Sequence, residues 1–221
     1  MSTTGDTLFF VDDDPNARRS VEALALSIGI PCESFASAEQ LLESFDISRP
    51  GCLLLDLQLG SMNGLELQRK LTDMGCNLPV ILISGHADVA IAVRAMREGA
   101  IRFVQKPYKN NELVDAIWEA MRAYRRKREA CDRRTRIVER LGSLSSTEHR
   151  VLHLMMTGTE NAVIAERLGT DRSTVDRLRA GVLEKMGAED TIDVARMVSE
   201  VGDASNTTQQ ADWQHPKWTG N

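Results

Sequence analysis

The sequence predicts an α/β domain on a doubly wound, five-stranded parallel sheet, followed by a smaller all-α domain. Residues 1–121 alternate short apolar runs with amphipathic helical stretches five times. That alternation is what a parallel sheet covered on both faces requires. After Gly142 the strand-like runs cease, and four helical patterns follow, each closed by glycine.

The first apolar run, TLFFV (7–11), is rich in strand formers. Residues 15–29 place Val21, Leu24, Ala25 and Ile28 at helical spacing and stop at Gly29. PCESFA (31–36) reads as a weak strand. SAEQLLESF (37–45) reads as a helix with Ser37 as its N-cap. CLLLD (52–56) and PVILIS (79–84) read as buried strands, followed by helices at 63–74 and 88–99. IRFVQ (101–105) is the fifth strand, and NNELVDAIWEAM (110–121) the fifth helix.

That last helix continues without Gly or Pro to about residue 139. Ile117, Met121, Tyr124, Arg128, Cys131, Thr135 and Val138 recur at alternating four and three, the spacing of a coiled-coil seam. A solvated linker helix and a weak parallel dimer helix both satisfy the pattern. Beyond it, helical stretches span 145–158, 160–169, 171–187 and 191–202. Ser145 with Glu148 fits a capping box, and Asp171 stands at an N-cap. The expected domains are 1–122, a basic helical linker 123–142, a helical domain 143–203, and a polar tail 204–221 expected to be disordered. In that tail Trp213 and Trp218 could anchor something or be passive.

The 221-residue chain is −5 overall, but unevenly. Residues 1–121 carry ten Lys/Arg against seventeen Asp/Glu, residues 122–140 nine against three, and residues 141–201 seven against ten. An acidic front, a basic connector and a mildly acidic back suggest two domains and a joint. No apolar run approaches the roughly 20 residues that cross a bilayer, and the N-terminus lacks a signal-peptide pattern. A cytoplasmic location without membrane contact is expected. Cys32, Cys52, Cys76 and Cys131 contain no CxxC pair, so neither a metal knuckle nor a disulfide framework is expected.

The chemistry gathers at strand ends. The first strand ends in Asp12, Asp13 and Asp14, the third in Asp56, the fourth in Ser84, and the fifth in Lys106 before Pro107. In a doubly wound sheet these tips converge on one crevice. Clustered carboxylates repel unless a cation sits among them, and hard oxygen donors suit Mg²⁺. A carboxylate beside a lysine and a hydroxyl is equipped to attack a phosphoryl group and to stabilise its oxygens.

On these motifs, residues 7 to about 122 resemble a receiver domain of two-component response regulators, with a CheY/flavodoxin-like fold. The resemblance implies that Asp56 is the phospho-acceptor. Asp13, Asp56 and the Gln58 backbone carbonyl would ligate Mg²⁺, with Asp12 acting largely through water. Ser84 and Lys106 would contact the phosphoryl group, with a cis Lys106–Pro107 bond. Ser84 and the aromatic Phe103 would form the switch that remodels the surface of the fourth helix, last strand and fifth helix for dimerisation, while an ordinary core role fits Phe103 equally well. Asp14 reads as a loop or helix-entry residue and His86 as a loop residue near the site mouth. One departure is Gly60, where the family usually has proline; it is expected to loosen the loop after the acceptor.

Residues 144–201 resemble the LuxR-type helix-turn-helix domain, on LSSTEHRVL, TGTENAVIAERLG and STVDRLRAGVLEKMG. Together the two segments resemble a FixJ/NarL-type regulator. Glu148 would be a buried organiser and 172–186 the recognition helix, burying Val175, Val182 and Met186. Ser173, Asp176, Arg177 and Ala180 would then face the major groove. Arg177 is the candidate guanine reader. Asp176 could accept from cytosine N4 or repel phosphate. Arg172, Ser173 and Arg179 would hold the DNA backbone. Val194, Met197, Val198 and Val201 suit either a dimer contact or core packing. The implied partners are a sensor histidine kinase, double-stranded DNA, and a second copy upon phosphorylation.

The expected protein is not an enzyme beyond assisting its own phosphorylation and dephosphorylation. Two alternatives are a back domain that binds protein rather than DNA, and an aspartyl-phosphate phosphatase. The latter class needs an acid two residues after the nucleophile, where Gln58 stands.

Overall fold

Five short parallel strands follow from where the apolar runs lie. In the computed structural model, which describes residues 5–60, 62–85 and 89–202, β1 (Thr7–Val11), β2 (Cys32–Phe35), β3 (Gly51–Asp56), β6 (Val80–Ser84) and β7 (Arg102–Gln105) form one sheet in the order β2-β1-β3-β6-β7. Alternate residues serve opposite faces. Phe9, Val11, Leu53, Leu55, Val80 and Leu82 enter one apolar core, and Leu8, Phe10, Leu54, Ile81 and Ile83 enter the other. Helices α2 (Ala38–Ser44), α3 (Gly64–Asp73) and α4 (Val89–Arg97) cover the first face through Leu41, Leu67 and Ala95. Helices α1 (Pro15–Ser27) and α5 (Asn110–Gly142) cover the second through Val21, Ala25, Ile117 and Met121. Both faces being apolar explains why β3 and β6 read as unbroken runs.

A two-strand antiparallel ladder, β4 (Gln58–Leu59) and β5 (Met62–Asn63), was not anticipated. Gly60 lies in its connection at φ +74. Proline, fixed near −65°, cannot take that conformation. On either side of this connection Gln58 pairs with Asn63 and Leu59 with Met62.

The chain divides into two compact units between Arg128 and Glu129. Helix α5 is continuous through that point, over 33 residues. Its seam is divided. Ile117 and Met121 are buried in the first unit, Tyr124 packs against its other core, and only Arg128, Cys131, Thr135 and Val138 stay exposed.

In the second unit, Ile137 and Leu141 of α5 join a core with α6 (Ser146–Met156), α7 (Asn161–Leu168), α8 (Arg172–Met186) and α9 (Thr191–Gly202). Val175, Val182 and Met186 are fully buried there, as the stripe on α8 predicts. Val194 is buried as well, and Met197, Val198 and Val201 pack against this core, which is the core-packing alternative for α9. The expectations placed on His86 and on the 204–221 tail lie outside the described residues.

Candidate functional site

Parallel register brings the strand tips together. Val11 pairs with Leu55, Asp56 with Ile83, and Ser84 with Gln105, so the next residue of each strand lands beside its neighbour. Asp12 is fully buried, Asp56 is 6% exposed, Ser84 is buried, and Asp13 is open to solvent. Oxygens from Asp12, Asp13 and Asp56 lie within 4.8 Å of one another. Lys106 Nζ stands 2.8 Å from Asp12 Oδ2 and 2.5 Å from Asp56 Oδ2. The Lys106–Pro107 peptide is cis.

The electrostatics follow from this crowding. Burial raises the Asp12 carboxyl pKa, and the hydrogen bonds from Lys106 and from the Asp14 N–H only partly oppose it. Burial alone would lower Lys106, but its bonds to Asp12 and Asp56 outweigh that and leave it raised. Three carboxylates and one ammonium leave a charge deficit that a small divalent cation matches, and their hard oxygen donors suit one. The residues present fit that group.

Two neighbours shape this crevice without any signal in the sequence reading. Arg18, in the first turns of α1, donates to the backbone carbonyls of Asp12 at 2.7 Å and Asp13 at 3.0 Å. Gly64 opens α3 so close to β3 that a Cβ there would meet the Asp56 carbonyl oxygen at 2.4 Å. Asp14 caps α1 by accepting from the Asn16 N–H at 2.8 Å. Phe103 is half-buried against the core on the α3–α4 face.

In the second unit, Ser145 and Glu148 form the predicted capping box. Glu148 is buried and accepts from Lys185 Nζ at 2.7 Å. The α8 surface presents Arg172, Ser173, Asp176, Arg177 and Ala180 as exposed residues. Arg179 is instead half-buried, with Nη1 2.7 Å from Asn161 Oδ1 and Nη2 3.4 Å from Thr191 Oγ1. Asn161 Nδ2 in turn donates to Asp176 Oδ1 at 2.5 Å.

This arrangement has known counterparts. The response regulator receiver domain family matches residues 8–118. The family of bacterial regulatory proteins, luxR family, matches residues 142–198. Nodulation protein W of Bradyrhizobium diazoefficiens is 35% identical over 209 residues, 95% of this chain and 92% of that protein. The chain belongs to the response regulators of the FixJ/NarL type. A second relative of this response regulator is the C4-dicarboxylate transport transcriptional regulatory protein DctR of Rhodobacter capsulatus, 38% identical over 86% of this chain and 98% of that protein. Among solved structures, the response regulator StyR is similar with a TM-score of 0.80 and 32% identity, covering 89% of this chain and all of that one.

The response regulator therefore joins a receiver to a LuxR-type DNA-binding domain and is homologous to transcriptional regulators. That assignment supports neither the phosphatase nor the protein-binding alternative. No helix among the described residues is long and apolar enough to cross a membrane.

Proposed function

We propose that Asp56 accepts a phosphoryl group from a sensor histidine kinase and that the modified receiver controls DNA binding by the second domain. The observation that carries this reading is the meeting of Asp12, Asp13, Asp56 and Lys106 at adjacent strand ends. An Asp56 oxygen forms the new O–P bond as the donor's P–N bond breaks. Lys106 then contacts the transferred group instead of the bare carboxylate, and Ser84 donates its hydroxyl to a phosphoryl oxygen. Asp13, Asp56 and the Gln58 carbonyl would hold Mg²⁺, with Asp12 acting largely through water, and the ion would supply positive charge to the carboxylates and the incoming phosphoryl oxygens. The pocket assists only its own phosphorylation and hydrolysis, so the protein turns over no separate substrate.

Displacement of Lys106 and Ser84 changes the packing of Phe103 on β7. Next to it, α4 exposes Val89, Val93 and Met96 at 76%, 46% and 48%, spaced four and three along one face. That stripe supports dimerisation of the phosphorylated receiver. Two copies on adjacent half-sites gain affinity through effective concentration, which a domain with few cations needs. On α8, Arg177 forks onto guanine O6 and N7, Asp176 and Ala180 face base edges, and Arg172 and Ser173 hold phosphates. Arg179, expected from sequence at a phosphate, is committed to Asn161 and Thr191, so it receives no phosphate role here. On this reading the protein works in the cytoplasm, where kinase and chromosome are both accessible.

The test is a gel shift of the full-length protein on genomic fragments, with and without acetyl phosphate and Mg²⁺. Phosphorylation-dependent retention of particular fragments is expected. Retention that is identical in both arms and for every fragment would remove the switch.

A further inference from the structure

The recognition helix carries a carboxylate whose direction is fixed from outside the helix. Asp176 is exposed on α8, yet its Oδ1 is bound by Asn161 Nδ2 from the start of α7. The oxygen of the same amide accepts from Arg179, which also reaches Thr191 at the start of α9. A guanidinium only donates and an ionised carboxylate only accepts. The Asn161 amide can therefore satisfy both in just one orientation, oxygen toward Arg179 and nitrogen toward Asp176. Arg179 forms no ion pair among the described residues, and its Nη1 and Nη2 donate to Asn161 and Thr191. Oδ2 of Asp176, on an exposed side chain, makes no hydrogen bond among the described residues and is left as an acceptor.

We propose that this relay makes Asp176 a cytosine selector, with Asn161 and Arg179 as positioning residues that never touch DNA. The inference rests on the DNA-reading function given above and deepens it. In the major groove, cytosine offers the N4 amino donor, whereas guanine and thymine offer acceptors that repel a carboxylate. Adenine offers N6 as well, but its adjacent N7 lone pair faces the same carboxylate. A freely rotating aspartate would accept from whatever donor came near. One with a single oxygen pinned presents the other along a defined line, and preorganisation of this kind converts contact into discrimination.

The experiment is selection of binding sites from randomised duplexes by the full-length, beryllofluoride-treated protein, followed by titration of single-base variants of the selected site. Wild type is expected to prefer cytosine about tenfold at one position per half-site. Asp176→Ala should flatten that position alone. Asn161→Ala and Arg179→Ala should each cut the same preference severalfold while leaving the other positions unchanged. The double variant Asn161→Ala/Asp176→Ala should lose no more than Asp176→Ala, because the two act through one contact. General damage to the domain would weaken all positions together, so the single-position pattern separates positioning from stability.

Retained preference in Asp176→Ala overturns the selector role. Loss in Asp176→Ala with full retention in both Asn161→Ala and Arg179→Ala overturns the relay. Equal tightening of Asp176→Ala on every sequence assigns the carboxylate to phosphate repulsion and overturns the proposal. If the activated wild type retains no duplex at all, the DNA-reading function itself falls, an outcome distinct from the other three.

Discussion

Lys106 holds its ammonium 2.5 Å from the Asp56 carboxylate, across 50 residues of sequence. The contact exists because β3 and β7 flank β6 in parallel, with Asp56 opposite Ile83 and Ser84 opposite Gln105. An ammonium in that place compensates the buried carboxylates in the absence of phosphate. It also marks where negative charge will be added, since a phosphoryl group on Asp56 must displace or recruit it.

Asp56→Asn is expected to abolish acid-labile phosphorylation from acetyl phosphate, because the amide nitrogen and oxygen cannot form the acyl phosphate. The variant keeps the shape of the β3 tip, so its circular dichroism should match wild type. Labelling that persists at the wild-type rate would move the acceptor to another residue.

Lys106→Ala removes the partner of a buried carboxyl. The loss should cost about 1–3 kcal/mol in urea denaturation without metal, and saturating Mg²⁺ should restore most of it. Divalent-ion binding, followed calorimetrically, should survive, since Asp12, Asp13 and Asp56 all remain. The response of DNA binding to acetyl phosphate should disappear. An unchanged response would deprive Lys106 of its coupling role.

Much of this site was legible because its side chains stand at strand ends, which the apolar runs delimit. Asp12, Asp56 and Ser84 each stand at the end of a run that is buried throughout, and Lys106 follows the short fifth strand, in which Val104 is the buried residue. Helix ends were equally readable, as glycines and capping residues such as Ser37, Asp171 and Ser145 mark them chemically. Arg18 was not, since it bonds to backbone carbonyls that leave no sequence signature. Gly64 and Asn161 were missed for a related reason: their roles depend on how closely two elements approach. The α5 seam shows a further limit. Ile117 and Met121 fit a coiled-coil spacing, but the same periodicity serves the face that covers a sheet, and periodicity does not name the partner.

Gly64→Ala should be costly for lack of space rather than for backbone conformation. The added methyl would sit 2.4 Å from the Asp56 carbonyl oxygen and 3.1 Å from a Leu82 methyl group. A loss of roughly 1–3 kcal/mol is expected from overpacking, together with slower phosphorylation as the β3 tip is pushed aside. Gly75→Ala, with nothing within 4 Å, tests the contrast: it should cost only the left-handed backbone penalty of about 1–2 kcal/mol and leave the phosphorylation rate intact. Equal rates in the two variants would break the link between α3 and the acceptor.

Glu148 gives the second domain a pH dependence of defined sign. Lys185, then the Ser145 backbone N–H and hydroxyl, hold its carboxyl below the ordinary 4.5, at about 2. Between those values the unfolded chain binds the proton and the folded chain does not, so stability rises with pH across that window. The contribution is complete above about 4.5 and is lost as pH falls toward 2. Glu148→Gln should therefore lower the urea midpoint at neutral pH, and the gap from wild type should narrow steadily below about 4.5. A gap constant with pH would assign Glu148 to packing rather than charge.

Arg177 is exposed on α8, on the outward side away from the buried Val175 and Val182. A guanidinium bidentate to guanine discriminates by about 1–3 kcal/mol, while a guanidinium on phosphate contributes to all sequences alike. Arg177→Ala should thus erase the guanine preference at one position and reduce overall affinity less. The salt dependence of binding should change little, because few counterions are released by a base contact. Titrations of the selected duplex and its single-base variants at two salt concentrations separate the cases. A uniform loss across sequences with a shallower salt slope would place Arg177 on the backbone, and Asp176 would then be the stronger candidate for direct readout on this helix.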